Sequence, residues 1–518
     1  MHNRREVLRM GLMASLMAGV AGFGGMSFTQ AMNALSFDPE AFTELTETIT
    51  TDSGDRKVTY RFWKAIPYVA NPVDVAYQSL NVSQPVAIDG VALDATNAPI
   101  LFANSVGGYM PSSVAEAEGI GGGGMTGMPG GAGGGTAPAG EVATGGNAMM
   151  NRGEMVSNAK LALAAGYVVI EPGARGRTLT DANGTYYGVA PAAIVDLKAA
   201  VRYVRHNAGR IPGNTDWIVS SGTSAGGALS ALLGASGDSP LFAPYLAEIG
   251  AADASDAIFA SGDWCPITDL EHADMAYEWN WGANALASGE ALDQAVSVEL
   301  AAGFELYQAG LALEGKDGFG PLTAANYGEY MVRTYLAPAA ETYLTALPEA
   351  DRAAYLAENA FITYVDGKAG FTWVDFLAHV GARKKSAPAF DAFDLSTGEN
   401  NLFGLGSIQA RHFTLASLRA ATGDATAELD TDIPEKLRLM NPMGFIADAN
   451  PGRARHWWIR VGTKDSDTSL TVVGNLAAAL ENLGDDVDAR MYWDAGHGSN
   501  EDAEAFITWI ADSTGYRA

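Results

Sequence analysis

The chain has one cysteine, Cys265, in 518 residues, so no intrachain disulfide can form and folding rests on burial and hydrogen bonding alone. Basic residues are scarce as well: 32 Lys and Arg stand against 60 Asp and Glu, a formal net charge of −28. A surface this acidic repels phosphate backbones, which excludes nucleic acid as a partner. Beyond the N-terminus no apolar run is long enough to span a bilayer. No His, Cys, Asp or Glu cluster has metal-ligand spacing, and no motif calls for a cofactor; His272 and Asp274 are close in sequence but read as surface positions of a helix. The sequence sets no oligomeric state. Apolar residues make up 48% of the chain, enough for a large core.

Arg4 and Arg5 precede a short, glycine-rich apolar run, 11-GLMASLMAGVAGFGG-25. Paired arginines before such a run read as a twin-arginine export signal, here residues 1–31 with cleavage after Ala31. The reading predicts an exported protein, periplasmic or secreted, that meets a membrane only during export. A spanning anchor is the alternative, but the run is short and glycine-rich for one.

From residue 36 the chain alternates strand-like and helix-like segments. Buried strands are predicted in 98–109, 166–177, 216–222, 257–263, 457–461 and 488–495. Helices are predicted in 191–207, 224–235, 469–484 and 501–513, the first with Ile194, Leu197, Val201 and Val204 at helical spacing. This alternation implies an α/β fold with a mostly parallel sheet covered on both faces. Two stretches interrupt it. Residues 118–146 are a Gly, Ala and Pro run that cannot bury a core and reads as a surface loop. Residues 265–435 are Ala-, Glu- and aromatic-rich and mainly helical. They read as a large insertion between a first core part, 36–264, and a second, 436–518.

One short motif carries chemistry. Residues 222-GTSAG-226 match Gly-x-Ser-x-Gly, a weak signal in a chain with 61 glycines. Its position between a buried strand and an apolar helix strengthens it. There it is a nucleophile elbow, with Ser224 above the sheet edge at a helix N-terminus. A helix N-cap serine is the plain alternative. In this fold the order is serine, acid, histidine. Of seven histidines, His2 lies in the signal, His206 ends a helix, His456 precedes a strand, and His272, His379 and His412 lie in the insertion. His497 follows the last strand in 494-DAGHGSN-500 and occupies the required place. Asp465 ends the preceding strand 32 residues earlier, a gap that holds one helix and one strand. It is the predicted orienting acid, with Asp467 the second candidate. The oxyanion is assigned to the N–H of Ala225 and one from the turn 105-SVGGY-109, Gly107 or Gly108, where glycine permits close backbone approach.

Together, 104-NSVGGYMP-111, 222-GTSAGGALS-230, 264-WCPITDLEHADMAYEW-279, 465-DSD-467 and 496-GHG-498 resemble bacterial tannases, serine esterases of the α/β-hydrolase superfamily. The resemblance spans most of the chain after residue 60. It implies an α/β-hydrolase core carrying a helical lid insertion, and hydrolysis of galloyl esters through a Ser-His-Asp triad and an acyl-enzyme. It also implies that an aspartate two residues past the triad acid, here Asp467, holds the galloyl hydroxyls together with a lysine and a glutamate from the insertion, 14 residues apart. Lys385 and Glu399 have that spacing, with Lys384 as the alternative lysine. Adjacent phenolic hydroxyls can donate to carboxylates and accept from an ammonium, so the trio suits a small phenolic ester. Glycine-rich loop 118–146 departs from the family pattern and follows the oxyanion turn. The competing readings are a feruloyl, cinnamoyl or general carboxylesterase of the same fold, a serine peptidase, and an inactive exported binding protein.

Overall fold

The computed structural model describes residues 35–125 and 157–517. The export signal read in residues 1–31 and most of the glycine-rich run lie outside them.

The central sheet holds nine strands and a two-residue addition at Val91–Ala92. In chain order they are β1 (Thr43–Thr51), β2 (Gly54–Pro67), β3 (Ser79–Ile88), β4 (Ile100–Ala103), β5 (Val168–Pro172), β6 (Ile218–Thr223), β7 (Ala260–Trp264), β8 (His456–Gly462) and β9 (Asp486–Tyr492). Their spatial order is β1-β2-β3-β5-β4-β6-β7-β8-β9. The first three are antiparallel to one another, and β3 meets β5 antiparallel. From β5 to β9 every pairing is parallel. The inner strands are buried on both faces, as in 218-IVSSGT-223 and 456-HWWIRVG-462, as parallel strands under two helical layers must be.

One face is covered by α2 (Ala192–His206), α3 (Ala225–Ala235) and α5 (Leu470–Asn482), whose Leu197, Leu229 and Leu476 join the main core. The other is covered by α1 (Asn158–Ala164) and α6 (Ala503–Thr514), with Leu161 and Phe506 in a second core. The insertion begins with α4 (Leu270–Trp281) and continues through further helices and two short ribbons, Glu314–Gly315 with Gly320–Pro321 and Thr363–Val365 with Lys368–Gly370. Its aromatic residues Tyr277, Tyr327 and Phe376 merge into the main core rather than forming a separate one.

Two sequence readings need correction. Strands β1 to β3 precede the first one expected. The first of them, 43-TELTETITT-51, has one buried residue, so no apolar stretch announced it. Asp274 is not on a helix surface. It is buried on α4 and accepts the N–H groups of Phe390 and Asp391.

A buried carboxyl makes the fold sensitive to pH. Glu171 on β5 accepts the Gly121 N–H at 3.0 Å. Burial pushes its pKa up to about 7, although the Gly121 hydrogen bond and Lys160 pull it down. Folded Glu171 therefore holds its proton where the unfolded chain has lost it. The associated stability is complete below the unfolded value near 4.5 and is lost as pH rises through about 7. Glu171→Gln should raise stability by about 1–3 kcal/mol at pH 8 and leave it unchanged at pH 4, measured as Tm of both proteins at both pH values.

Candidate active site

Strand β6 runs straight into α3, and the turn between them forces Ser224 to φ 62° and ψ −122°. A serine is held there only by over-determined surroundings. Its N–H donates to the Trp264 carbonyl at 2.9 Å, which ties the elbow to β7. The small residues around it are sterically required. A Cβ on Gly226 would sit 2.5 Å from the Val106 carbonyl oxygen. Asn104 staples this crossing: its side-chain N–H2 donates to the carbonyls of Ser221 and Gly226 and to Ser230 Oγ at 3.0–3.1 Å.

The structure brings Ser224, His497 and Asp465 into one line. His497 Nε2 lies 2.9 Å from Ser224 Oγ, and its Nδ1 lies 2.8 and 3.0 Å from the two carboxylate oxygens of Asp465. Asp465 is fully buried. Burial alone would depress the His497 pKa. The Asp465 carboxylate and the sulfur of Cys265, 3.9 Å from Nε2, outweigh it and hold the pKa well above the usual histidine value. Cys265, Asp465 and His497 form a group whose ligand atoms lie within 4.8 Å of one another. The imidazole nitrogens are already turned to Asp465 and Ser224, so these contacts are those of a relay.

The loops carrying the acid and the histidine are laced together. Thr463 N–H donates to the Tyr492 carbonyl, and Lys464 N–H to that of Ala495, both at 2.9 Å. Asp494 receives His379 Nε2 at 2.6 Å, Tyr355 OH at 2.6 Å and Lys464 Nζ at 2.9 Å. It thereby ties the insertion to both loops. Helix α4 supports the acid loop from the other side: Tyr277 OH donates to Ser466 O at 2.8 Å and Trp281 Nε1 to Thr468 O at 2.9 Å.

The expected oxyanion donors come from two elements. Ala225 is the first residue of α3, and Gly107 and Gly108 lie in the turn after β4. Among the described residues no acceptor takes the N–H of any of the three. The glycine-rich segment passes beside Gly107, since the Met125 sulfur would lie 2.6 Å from a Cβ there. Where the chain is next described, Asn158 accepts from Asn500, three residues past His497.

Asp467 donates its N–H to Asp465 Oδ1 at 2.9 Å and binds Lys384 Nζ through both oxygens, at 2.7 and 3.0 Å. Burial raises its pKa, but His497, Lys384 and Lys385 overcome this and hold it below the ordinary aspartate value. The two candidate lysines therefore separate. Lys384 forms the ion pair. Lys385 places its ammonium 3.6 Å over the Phe390 ring, within charge range of Asp467. No contact among the described residues links Glu399 to Asp467 or to either lysine. The Glu399 carboxylate acts on Tyr109 and Arg177 beside the oxyanion turn, and among the described residues it makes no hydrogen bond. The sequence reading passed over Arg177, Asn104 and Asp494. Only 173-GARGR-177, the end of a strand-like run, offered any signal for the first.

The BD-FAE family model matches residues 143–300. Esterase LipQ of Mycobacterium tuberculosis is 35% identical over 88 residues, 17% of this chain and 20% of its own length. Solved structures extend the similarity to nearly the whole chain. The tannin acyl hydrolase of Lactobacillus plantarum is 34% identical, with a TM-score of 0.75, over 93% of this chain and 99% of its own. A tannin acyl hydrolase in complex with ethyl gallate is 35% identical with a TM-score of 0.74 over the same shares. The tannase of Fusobacterium nucleatum is 36% identical, with a TM-score of 0.72, over 92% of this chain and 99% of its own.

The relay predicts the pH profile. A base must be unprotonated to act, so kcat/KM should fall as pH drops through the His497 pKa, at a pH above the ordinary 6.5. Asp465→Asn should shift this limb to lower pH and reduce kcat about 10³–10⁴-fold on p-nitrophenyl acetate, measured across pH 5–10.

Proposed function

The chain belongs to the tannin acyl hydrolases, carboxylic ester hydrolases of the α/β-hydrolase fold, and we propose that it releases gallic acid from galloyl esters through Ser224, His497 and Asp465. Ser224 Oγ attacks the ester carbonyl as His497 Nε2 takes its proton. Asp465 holds the Nδ1–H and stabilises the imidazolium. The N–H groups of Ala225 and of Gly107 or Gly108 receive the oxyanion. His497 then protonates the leaving alcohol, and water repeats the sequence on the galloyl-enzyme.

One observation carries the acyl specificity: a single loop directs Asp465 to the histidine and, two residues on, Asp467 to a lysine pair. Glu399 approaches from the oxyanion side. Asp467, Lys385 and Glu399 would receive the galloyl hydroxyls, with Lys384 holding the Asp467 carboxylate ionised and in place. A substrate without those hydroxyls would cover Lys385 and Glu399 without offering them hydrogen bonds, which is the basis of its rejection. Related tannin acyl hydrolase structures hold ethyl gallate and 3,4-dihydroxybenzoate, both phenolic carboxyl compounds.

Turnover of methyl gallate, methyl ferulate, methyl benzoate and p-nitrophenyl acetate tests the reading, with Ser224→Ala as the inactive control. Methyl gallate should be preferred over methyl ferulate and methyl benzoate. Asp467→Ala should lower kcat/KM for methyl gallate about 10²-fold or more while altering methyl benzoate little. Equal turnover of gallate and ferulate would refute the pocket, and activity in Ser224→Ala would refute the nucleophile.

The twin-arginine reading makes the protein an exported one. In a cell with the twin-arginine pathway, Arg4→Lys with Arg5→Lys should leave the full chain in the cytoplasmic fraction. Unchanged export of the double variant would refute the signal.

A further inference from the structure

The oxyanion turn is strained. Gly108 and Tyr109 both have φ 54°, and a tyrosine adopts that conformation only where its surroundings hold it. The hydrogen bonds that hold the turn come largely from one residue. The backbone N–H of Arg177 donates to the Tyr109 carbonyl at 2.9 Å, and its guanidinium Nε donates to the Gly108 carbonyl at 2.8 Å. Arg177 thus captures two consecutive carbonyls. The preceding carbonyl, of Gly107, accepts the Met110 N–H at 2.9 Å. The peptide planes on both sides of Gly108 are therefore fixed, and the N–H groups of Gly107 and Gly108 are left without an acceptor among the described residues.

Arg177 acts from a rigid base. Two residues earlier the Arg175 guanidinium binds buried Asp196 on α2, with Nη2 at 2.8 Å and Nε at 2.9 Å. The two segments pack backbone to backbone: a Cβ on Gly176 would sit 2.1 Å from the Pro111 nitrogen. The other end of the guanidinium reaches the insertion, where Nη1 donates to Asn401 Oδ1 at 2.8 Å and the plane lies against Gly398. Glu399 lies between these two residues in sequence.

The geometry points to Arg177 as a positioning residue for the oxyanion hole, fixing the Gly107–Tyr109 turn and joining it to the insertion loop that carries Glu399. It touches no reacting atom. By holding the carbonyls of Gly108 and Tyr109 it limits movement of the turn whose N–H groups must meet negative charge as that charge develops, where small displacements are costly. The inference rests on the serine esterase reading above, which Ser224→Ala tests separately.

Arg177→Gln and Arg177→Lys should be compared with the native full chain. The readouts are kcat and KM on methyl gallate and p-nitrophenyl acetate, gallate Kd by calorimetry, Tm, and the rate of Ser224 phosphorylation by diethyl p-nitrophenyl phosphate. The phosphoryl oxygen of that reagent must occupy the same hole. In Arg177→Gln, kcat should fall about 10–100-fold on both esters, and phosphorylation should slow in parallel. KM and gallate Kd should stay within about threefold of native. Arg177→Lys should recover part of the rate, because an ammonium can reach the Gly108 carbonyl that the guanidinium held, while the backbone N–H keeps the Tyr109 carbonyl in every variant, and it carries the same readouts if the Gln variant does not fold. A kcat within about threefold of native on both esters, whatever the change in Tm, overturns the inference. So does a loss confined to methyl gallate, which would place Arg177 in the acyl pocket instead. Neither result touches the role of Ser224.

Discussion

The site depends on a buried ion pair that touches no reacting group. Glu278 on α4 and Arg383 are both fully buried and form a two-point contact, Nη1 to Oε2 at 2.6 Å and Nη2 to Oε1. Ser297 donates to the same carboxylate, and Arg383 also donates to the Lys385 and Ser386 carbonyls. Two buried charges are tolerated only when hydrogen bonds satisfy both, and removing one partner typically costs about 3–5 kcal/mol. The pair locks the turn that presents Lys384 and Lys385 onto the helix whose Tyr277 and Trp281 hold the acid loop. The insertion therefore does more than cover the site. Its first helix is a wall against which the acid loop, the lysine turn and, through Asn280 and Leu470, the start of α5 are all set.

This arrangement explains how two carboxylates two residues apart can do different work. Asp465 is fully buried, and both its oxygens face His497. Asp467 keeps about a fifth of its side chain exposed and turns to Lys384. The Asp467 N–H donates back to Asp465, so the same peptide that separates the two side chains also supports the inner carboxylate. Left without cations, neighbouring carboxylates would raise one another's pKa. Here His497 and two lysines hold Asp467 ionised.

Much of this was legible from local sequence. The elbow could be read because a strand running straight into a helix admits only small neighbours, and 222-GTSAGG-227 supplies them. The interval between Asp465 and His497 could be read because a parallel sheet sets it. What escaped depends on packing between distant segments. Arg177 meets the oxyanion turn 69 residues away and Asn401 224 residues away, and no periodicity encodes either contact. Asp494 was visible beside His497, but its partners Tyr355 and His379 come from the insertion. Adjacent Lys384 and Lys385 differ in role because neighbours on a turn point in different directions, and composition is blind to that. Strand β1 was missed because an exposed edge alternates polar residues instead of presenting an apolar run, and β2 and β3 because charged or polar residues interrupt 54-GDRKVTYRFWKAIP-67 and 79-SLNVSQPVAI-88.

Four non-glycine positions around the reacting centre carry backbone strain. Ser224, Cys265, Tyr109 and Asp494 all have positive φ, at 62°, 37°, 54° and 58°. Such conformations cost on the order of 1–3 kcal/mol each. Each is met by a hydrogen bond to a different element: Ser224 N–H to Trp264 O, Cys265 N–H to Arg460 O, Arg177 N–H to Tyr109 O and Asp494 N–H to Thr463 Oγ1. Four strained positions, each held from outside its own loop, leave the nucleophile, the oxyanion turn and the histidine loop little freedom to relax independently. Relaxation is what a preorganised site must avoid, because donors that reorient during the reaction lose the advantage of having been oriented beforehand. The strain is thus carried by the fold, through the sheet order that sets β6, β7 and β8 side by side and an insertion that grips the loops at their tips.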